Sequence, residues 1–158
     1  MPICGSLLFL CRTAIMKKEV MVMDYSWLDG YLLKKPGCEK DFKAEWQWWR
    51  YRVGGRLFAA LLCPGEQYSP LYAGKHLLNL KCEPMLSEFY RTQFSEVLPG
   101  FYTDKRCWIS VDLDGELPPA LLREMCDHSY EQVWERLTRR VRQEIMQASA
   151  PSQSDEKR

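Results

Sequence analysis

The sequence predicts an α+β fold, with antiparallel strands joined in hairpins and helices grouped around them. One observation is a run of period two over residues 46–53, followed by Gly54-Gly55 and an apolar return over 56–62. A second is that segments with helical spacing are grouped around the hairpins and do not alternate singly with strands, which argues against a doubly wound sheet. The third is size: 158 residues with 46% hydrophobic and 27% charged side chains suit one globular domain.

The elements follow in order. Ser26-x-x-Asp29 resembles a capping box, and Trp27, Leu28, Tyr31 and Leu32 recur at helical spacing until Lys34-Lys35-Pro36-Gly37 stops the helix. Trp49, Tyr51 and Val53 then alternate with Trp48, Arg50 and Arg52, the pattern of a half-exposed strand. Gly54-Gly55 supplies two positive-φ positions for a tight turn, and Cys63-Pro64-Gly65 ends the return strand. A loop over 64–76 precedes a third strand over 77–82. Glu83-Pro84 opens a short helix with Met85, Leu86, Phe89 and Tyr90 on one side. Residues 101–113 read as a second hairpin turning near Asp104-Lys105. Pro118-Pro119 opens a helix carrying Leu121, Leu122 and Met125, and Ser129 is the expected cap of a final helix with Tyr130, Val133, Trp134, Leu137, Val141 and Ile145 in one stripe.

The folded domain is placed at 24–147, with a disordered polar tail over 148–158. Residues 1–23 read as an extension with Met16, Met21 or Met23 as alternative starts. Their apolar run, Leu7-Leu8-Phe9-Leu10, is far below the ~20 residues of a membrane span. Its positive charges follow the run, the reverse of a signal peptide.

Composition excludes several function classes. A net charge of +1 gives no global field toward nucleic acid or an anionic membrane, so such binding needs a local patch. The seven cysteines are scattered without a C-x-x-C pair, which fits reduced thiols in a cytoplasmic protein. Two separated histidines suggest no metal cluster, and no phosphate-cradling Gly-rich loop or nucleophile elbow occurs. No cofactor or membrane association is expected.

Several segments together resemble a known family. Val53-Gly54-Gly55-Arg56-Leu57-Phe58-Ala59 is similar to the "V-G-G-K-x-F-A" hairpin of MmcQ/YjbR proteins, and Leu80-Lys81-Cys82-Glu83-Pro84 to their "L-K-x-x-P" junction. Pro99-Gly100-Phe101, Lys105-x-x-Trp108-x-x-Val111, Leu113-Asp114-Gly115-x-Leu117-Pro118 and Asp127-His128-Ser129-Tyr130 complete the set, in family order over about residues 25–145. The resemblance implies a CyaY/frataxin-like architecture, an antiparallel sheet built from hairpins with helices packed on one face. It also implies a non-enzymatic DNA-binding role through hairpin "wings", a label that rests on shape. Tyr102 and Cys107 stand where many members carry histidines, which removes any metal or acid–base role attached to that pair. Frataxin-like iron handling would need an acidic ridge, and Asp24 and Asp29 alone do not make one.

Three segments are candidates for function. Lys43, Arg50, Arg52 and Arg56 lie near Trp46, Trp48 and Trp49. Two arginines on one strand face stand about 7 Å apart, close to a nucleotide step, and Trp48 could stack on a base. The alternative is a solvated face whose arginine stems cover tryptophan rings. Lys81, Lys105, Arg106 and Trp108 form a second set, suited to phosphate or carboxylate or else structural. Asp127-His128-Ser129-Tyr130 cannot form a catalytic triad on consecutive helical positions, so Ser129 is read as a cap and Tyr130 as a core anchor. The leading expectation is DNA binding by the basic and aromatic hairpins. The other is a protein-interaction or small-ligand module with the tryptophans as its contact surface.

Overall fold

The computed structural model describes residues 26–150. The expected extension over 1–23 and the tail beyond 150 lie outside the described residues.

Six strands form one antiparallel sheet: β1 (Cys38–Lys43), β2 (Trp48–Val53), β3 (Arg56–Leu62), β4 (Leu77–Lys81), β5 (Val97–Pro99) and β6 (Trp108–Asp112), in the order β1-β2-β3-β4-β6-β5. Among the described residues four helices accompany it: α1 (Ser26–Leu33), α2 (Pro84–Gln93), α3 (Pro119–Trp134) and α4 (Arg139–Ser149). The α+β class holds, and so does the one-sided arrangement. Leu28 and Leu32 of α1 and Leu122, Met125, Cys126 and Val133 of α3 share a core with Tyr51, Val53, Leu78, Leu80, Ile109 and Val111 of the sheet.

Among the described residues no helix covers the other face. A smaller cluster there contains Trp48, Ala60, Leu62 and Leu77 from strands, covered by Tyr72 and Phe101 from loops. The Phe101 loop is tied down through a buried polar chain. Asn79 Nδ2 donates to the Phe101 carbonyl at 2.9 Å, Ser110 Oγ donates to Asn79 Oδ1, and the Phe101 N–H donates to Ser110 Oγ at 2.8 Å.

Gly54 and Gly55 have φ of +55° and +77°, as the turn requires. Gly54 has a second constraint: a Cβ there would meet Leu137 Cδ2 at 2.6 Å. The hairpin tip therefore sits directly under the α3–α4 corner. Just beyond it the β2–β3 register shifts between Tyr51 and Arg52, which pair with Ala59 and Leu57 and leave Phe58 outside the β2 pairing.

The structure departs from several expectations. Residues 38–43 form a strand that the sequence does not announce, because CEKDFK lacks apolar alternation; it is an edge strand, half in solvent. Trp46 lies in the turn before β2 rather than in the strand. The second hairpin pairs β5 with β6, so the segment after Pro99 is its connection and not its first strand. Ser129 lies inside α3 and caps nothing; the last helix is capped by Thr138, whose Oγ1 accepts from the Val141 N–H at 3.3 Å. That helix continues to Ser149, past the expected domain end at 147.

Candidate nucleic-acid interface

The register of β1 against β2 decides what the arginine face can do. Asp41 pairs with Arg50 across the ladder, and its side chain lies on the same face. Arg50 donates to it twice, from Nε at 2.9 Å and from a terminal nitrogen at 2.5 Å, and Arg52 adds a third bond at 3.1 Å. Chiefly through the Arg50 bonds, the Asp41 carboxyl is held below its ordinary value. Arg50 also lies 5.9 Å from the centre of the Trp46 ring, and Lys43 pairs with Glu45 at 3.3 Å. Trp48 is only 7% exposed, packed against Phe101 on the helix-free face. It cannot offer its ring to a base. The exposed indoles are Trp46 at 54% and Trp49 at 44%.

The second set divides. Arg106 clamps Asp104 two residues away, with contacts at 3.2 and 3.0 Å. Lys105 Nζ donates to the Gly100 carbonyl at 3.0 Å and stands 5.6 Å from the centre of the Tyr72 ring. Trp108 is half-buried opposite Lys81 in the β4–β6 ladder.

Arg56 and Lys81 are different. Arg56 leaves the hairpin tip, Lys81 ends β4, and Arg136, which the sequence reading left out, stands in the α3–α4 corner that seats Gly54. Burial, then the charges of Arg136 and Arg56, hold the Lys81 ammonium below its ordinary value, with Cys107 opposing. Lys81 is thus within electrostatic reach of both arginines. Among the described residues none of them has a carboxylate within salt-bridge distance, whereas Lys35, Lys40, Lys43, Arg50, Arg52, Arg106 and Arg140 each do. The signal for Arg136 was the Thr138 cap, which turns a single expected helix into two and places Arg136 at the corner.

The Asp127–Tyr130 segment builds this end without facing it. Asp127 accepts from Tyr31 Oη at 2.6 Å and Lys35 Nζ at 2.5 Å. His128 Nε2 accepts from the Glu83 N–H at 3.2 Å. Ser129 Oγ accepts from the Lys81 N–H at 2.8 Å and donates to the Phe58 carbonyl. Tyr130 Oη donates to the Pro36 carbonyl at 2.6 Å, a bonded core anchor. Among the described residues no group of three His, Cys, Asp or Glu side chains could hold a metal ion. None of the helices formed by these residues is long and apolar enough to cross a membrane.

Tyr102 is the remaining anomaly. It is 71% exposed and holds φ of +53°, a left-handed conformation that costs a residue with a bulky side chain about 1–2 kcal/mol. Its ring meets Phe101 at 4.8 Å and Tyr68 at 5.6 Å, both edge-on.

Comparison with known proteins agrees with this architecture. The YjbR family model matches residues 33–132. An Escherichia coli K12 protein described as uncharacterised protein YjbR is 30% identical over 125 residues, covering 79% of this chain and 99% of the relative. The uncharacterised protein YyaQ of Bacillus subtilis is 35% identical over 54 residues, 34% of this chain and 45% of the relative. Among solved structures, Deinococcus radiodurans DR2400, a DUF419 domain, superposes with a TM-score of 0.62 at 25% identity, over 75% of this chain and 85% of that one. A Pseudomonas syringae protein has a TM-score of 0.59 at 18% identity, over 68% and 96%, and supports the fold alone. The chain belongs to the YjbR family.

Proposed function

We propose that this protein is a non-enzymatic binding module that takes nucleic acid through phosphate contacts at the Arg56–Lys81–Arg136 end of the sheet, with little sequence readout. The observation that carries the reading is the approach of Arg56 and Arg136 to Lys81, none of the three with a carboxylate partner among the described residues. An unpaired cation keeps its charge for a ligand and releases phosphate counterions on binding; one already bonded to Asp41 must break that contact first. The Arg50 and Arg52 face, which looks stronger in the sequence, is accordingly secondary. A cytoplasmic setting belongs to the same proposal, supported by Cys38, Cys82, Cys107 and Cys126 being free thiols.

The test is a DNA titration by fluorescence anisotropy across a salt series. Three phosphate contacts predict a slope of log affinity against log salt of about −3 on a duplex. Arg56→Glu with Lys81→Glu is expected to abolish most of the binding, while Lys43→Ala leaves it nearly intact. No binding at low salt, or binding without salt dependence, rejects the reading.

A second reading, a protein-interaction surface, is favoured by one observation. Phe42 and Trp49 are both exposed and pack together at 4.9 Å beside the open edge of β1. Trp49→Ala separates the two readings, since it removes that surface and leaves the basic end untouched.

A further inference from the structure

The helix-free face continues from the basic end toward Tyr102. Lys81 and Trp108 are ladder partners, and the Gly100 N–H donates to the Trp108 carbonyl at 3.1 Å, so Gly100 lies on the next line across the sheet. Neighbouring lines are about 4.8 Å apart, which places Gly100 about 10 Å from Lys81. A Cβ at Gly100 would meet Trp108 Cβ at 2.7 Å, so the loop is seated closely on that strand. Lys105, also without a carboxylate partner among the described residues, is tied to the same turn through the Gly100 carbonyl.

Tyr102 is not exposed by looseness. Phe101 beside it is held by the Asn79 and Ser110 bonds, and the positive φ at Tyr102 turns the next side chain outward. The ring is then buttressed edge-on by Tyr68, which itself packs edge-on against Phe101 at 5.1 Å. An unstrained polar residue would be cheaper at this position. What the arrangement supplies is a rigid aromatic face in solvent, on the turn whose Gly100 carbonyl holds the Lys105 ammonium.

Duplex DNA offers phosphates to such a surface but keeps its bases stacked inside. A single strand offers both phosphates and ring faces. We propose that the preferred partner is single-stranded nucleic acid, with a base stacked on Tyr102 and the adjoining backbone running past Lys105 and Lys81 toward Arg56. This inference rests on the reading of the basic end as a phosphate site and names the form of nucleic acid that site takes.

The experiment compares a labelled oligothymidine with a duplex of equal length at about 50 mM salt, a concentration at which phosphate contacts remain strong. Three proteins are titrated: the full chain, Tyr102→Asn and Tyr102→Trp. Asparagine tolerates the left-handed backbone, so loss of the ring is separated from a folding defect, and thermal melting confirms the fold. The single strand is expected to bind more tightly than the duplex. Tyr102→Asn should weaken the single strand by roughly tenfold and leave the duplex within about twofold, while Tyr102→Trp should retain or improve single-strand binding. Equal or tighter duplex binding, or a Tyr102→Asn variant that binds oligothymidine as before, overturns the single-strand inference while the phosphate reading stands. If neither probe binds the full chain, both fall.

Discussion

The β2 strand face and the hairpin tip that follows it are neighbours in sequence, with Arg50 and Arg52 on one and Arg56 on the other. Their chemistry diverges because of what each is placed against. The strand face meets β1, whose Asp41 takes both arginines. The tip meets the α3–α4 corner and the end of β4, which bring two more cations, and among the described residues no carboxylate pairs with any of the three. Charge clustering along a chain is therefore a poor guide to local field; the partner strand's register decides whether the charge is spent internally or left for a ligand.

This contrast can be broken from either side. The largest effect is expected from Ser129→Ala, which leaves the Lys81 N–H and the Phe58 carbonyl without their shared partner beneath the basic end. A loss of about 2–3 kcal/mol in a denaturant titration is expected, with the strand face unchanged. Gly54→Ala comes next: the positive φ and the contact with Leu137 together should cost about 1–3 kcal/mol, and phosphate binding should weaken because the tip no longer seats under the corner.

Asp41→Asn tests the other side. It should leave stability nearly unchanged, as loss of an exposed ion pair does, yet raise DNA affinity at low salt by roughly threefold or more because Arg50 and Arg52 are released. Unchanged affinity would mean that the face is unused even when uncovered.

The smallest effect is in acid. The Asp41 carboxyl is depressed mainly by its bonds to Arg50. At Asp29, burial works upward but is outweighed by the bonds from Lys40 and Tyr51. A carboxyl with a depressed folded value stabilises the protein above its unfolded value, here 3.8, and loses that contribution as pH falls through the lower folded one. Denaturation midpoints should thus be flat from about pH 6 to about pH 4 and fall only below that, a fall that Asp29→Asn makes shallower.

The sequence was most legible where pattern and turn chemistry agreed. Gly54-Gly55, the alternation of β2 from Arg50 to Val53 and the stop after α1 appear as read, while Trp48 is buried and Trp49 exposed, the reverse of that alternation. It was least legible at β1, because an edge strand needs no apolar face, and this one is held by ladder bonds and by charges matched to β2. That omission propagated directly into the site: without β1 there is no Asp41, and Arg50 and Arg52 appear free. The misplacement of Ser129 has a similar origin. Serine is a common cap, but here its hydroxyl serves distant strands, a contact that no local pattern encodes. Tyr102 was noticed as a replacement for histidine, while its exposure depends on a backbone conformation that the residue type would not suggest.

The Ser129 hydroxyl has a further consequence, in hydrogen exchange. The Lys81 amide is satisfied by helix α3, through Ser129, and not by a neighbouring strand. Its proton can exchange with solvent only when the helix lifts from the sheet, whereas amides held by the strand ladder wait for strands to part. The residue whose ammonium belongs to the proposed phosphate site thus carries in its own backbone a clock for helix docking. If ligand binding at the basic end tightens the whole domain, that single amide should slow before the ladder around it does.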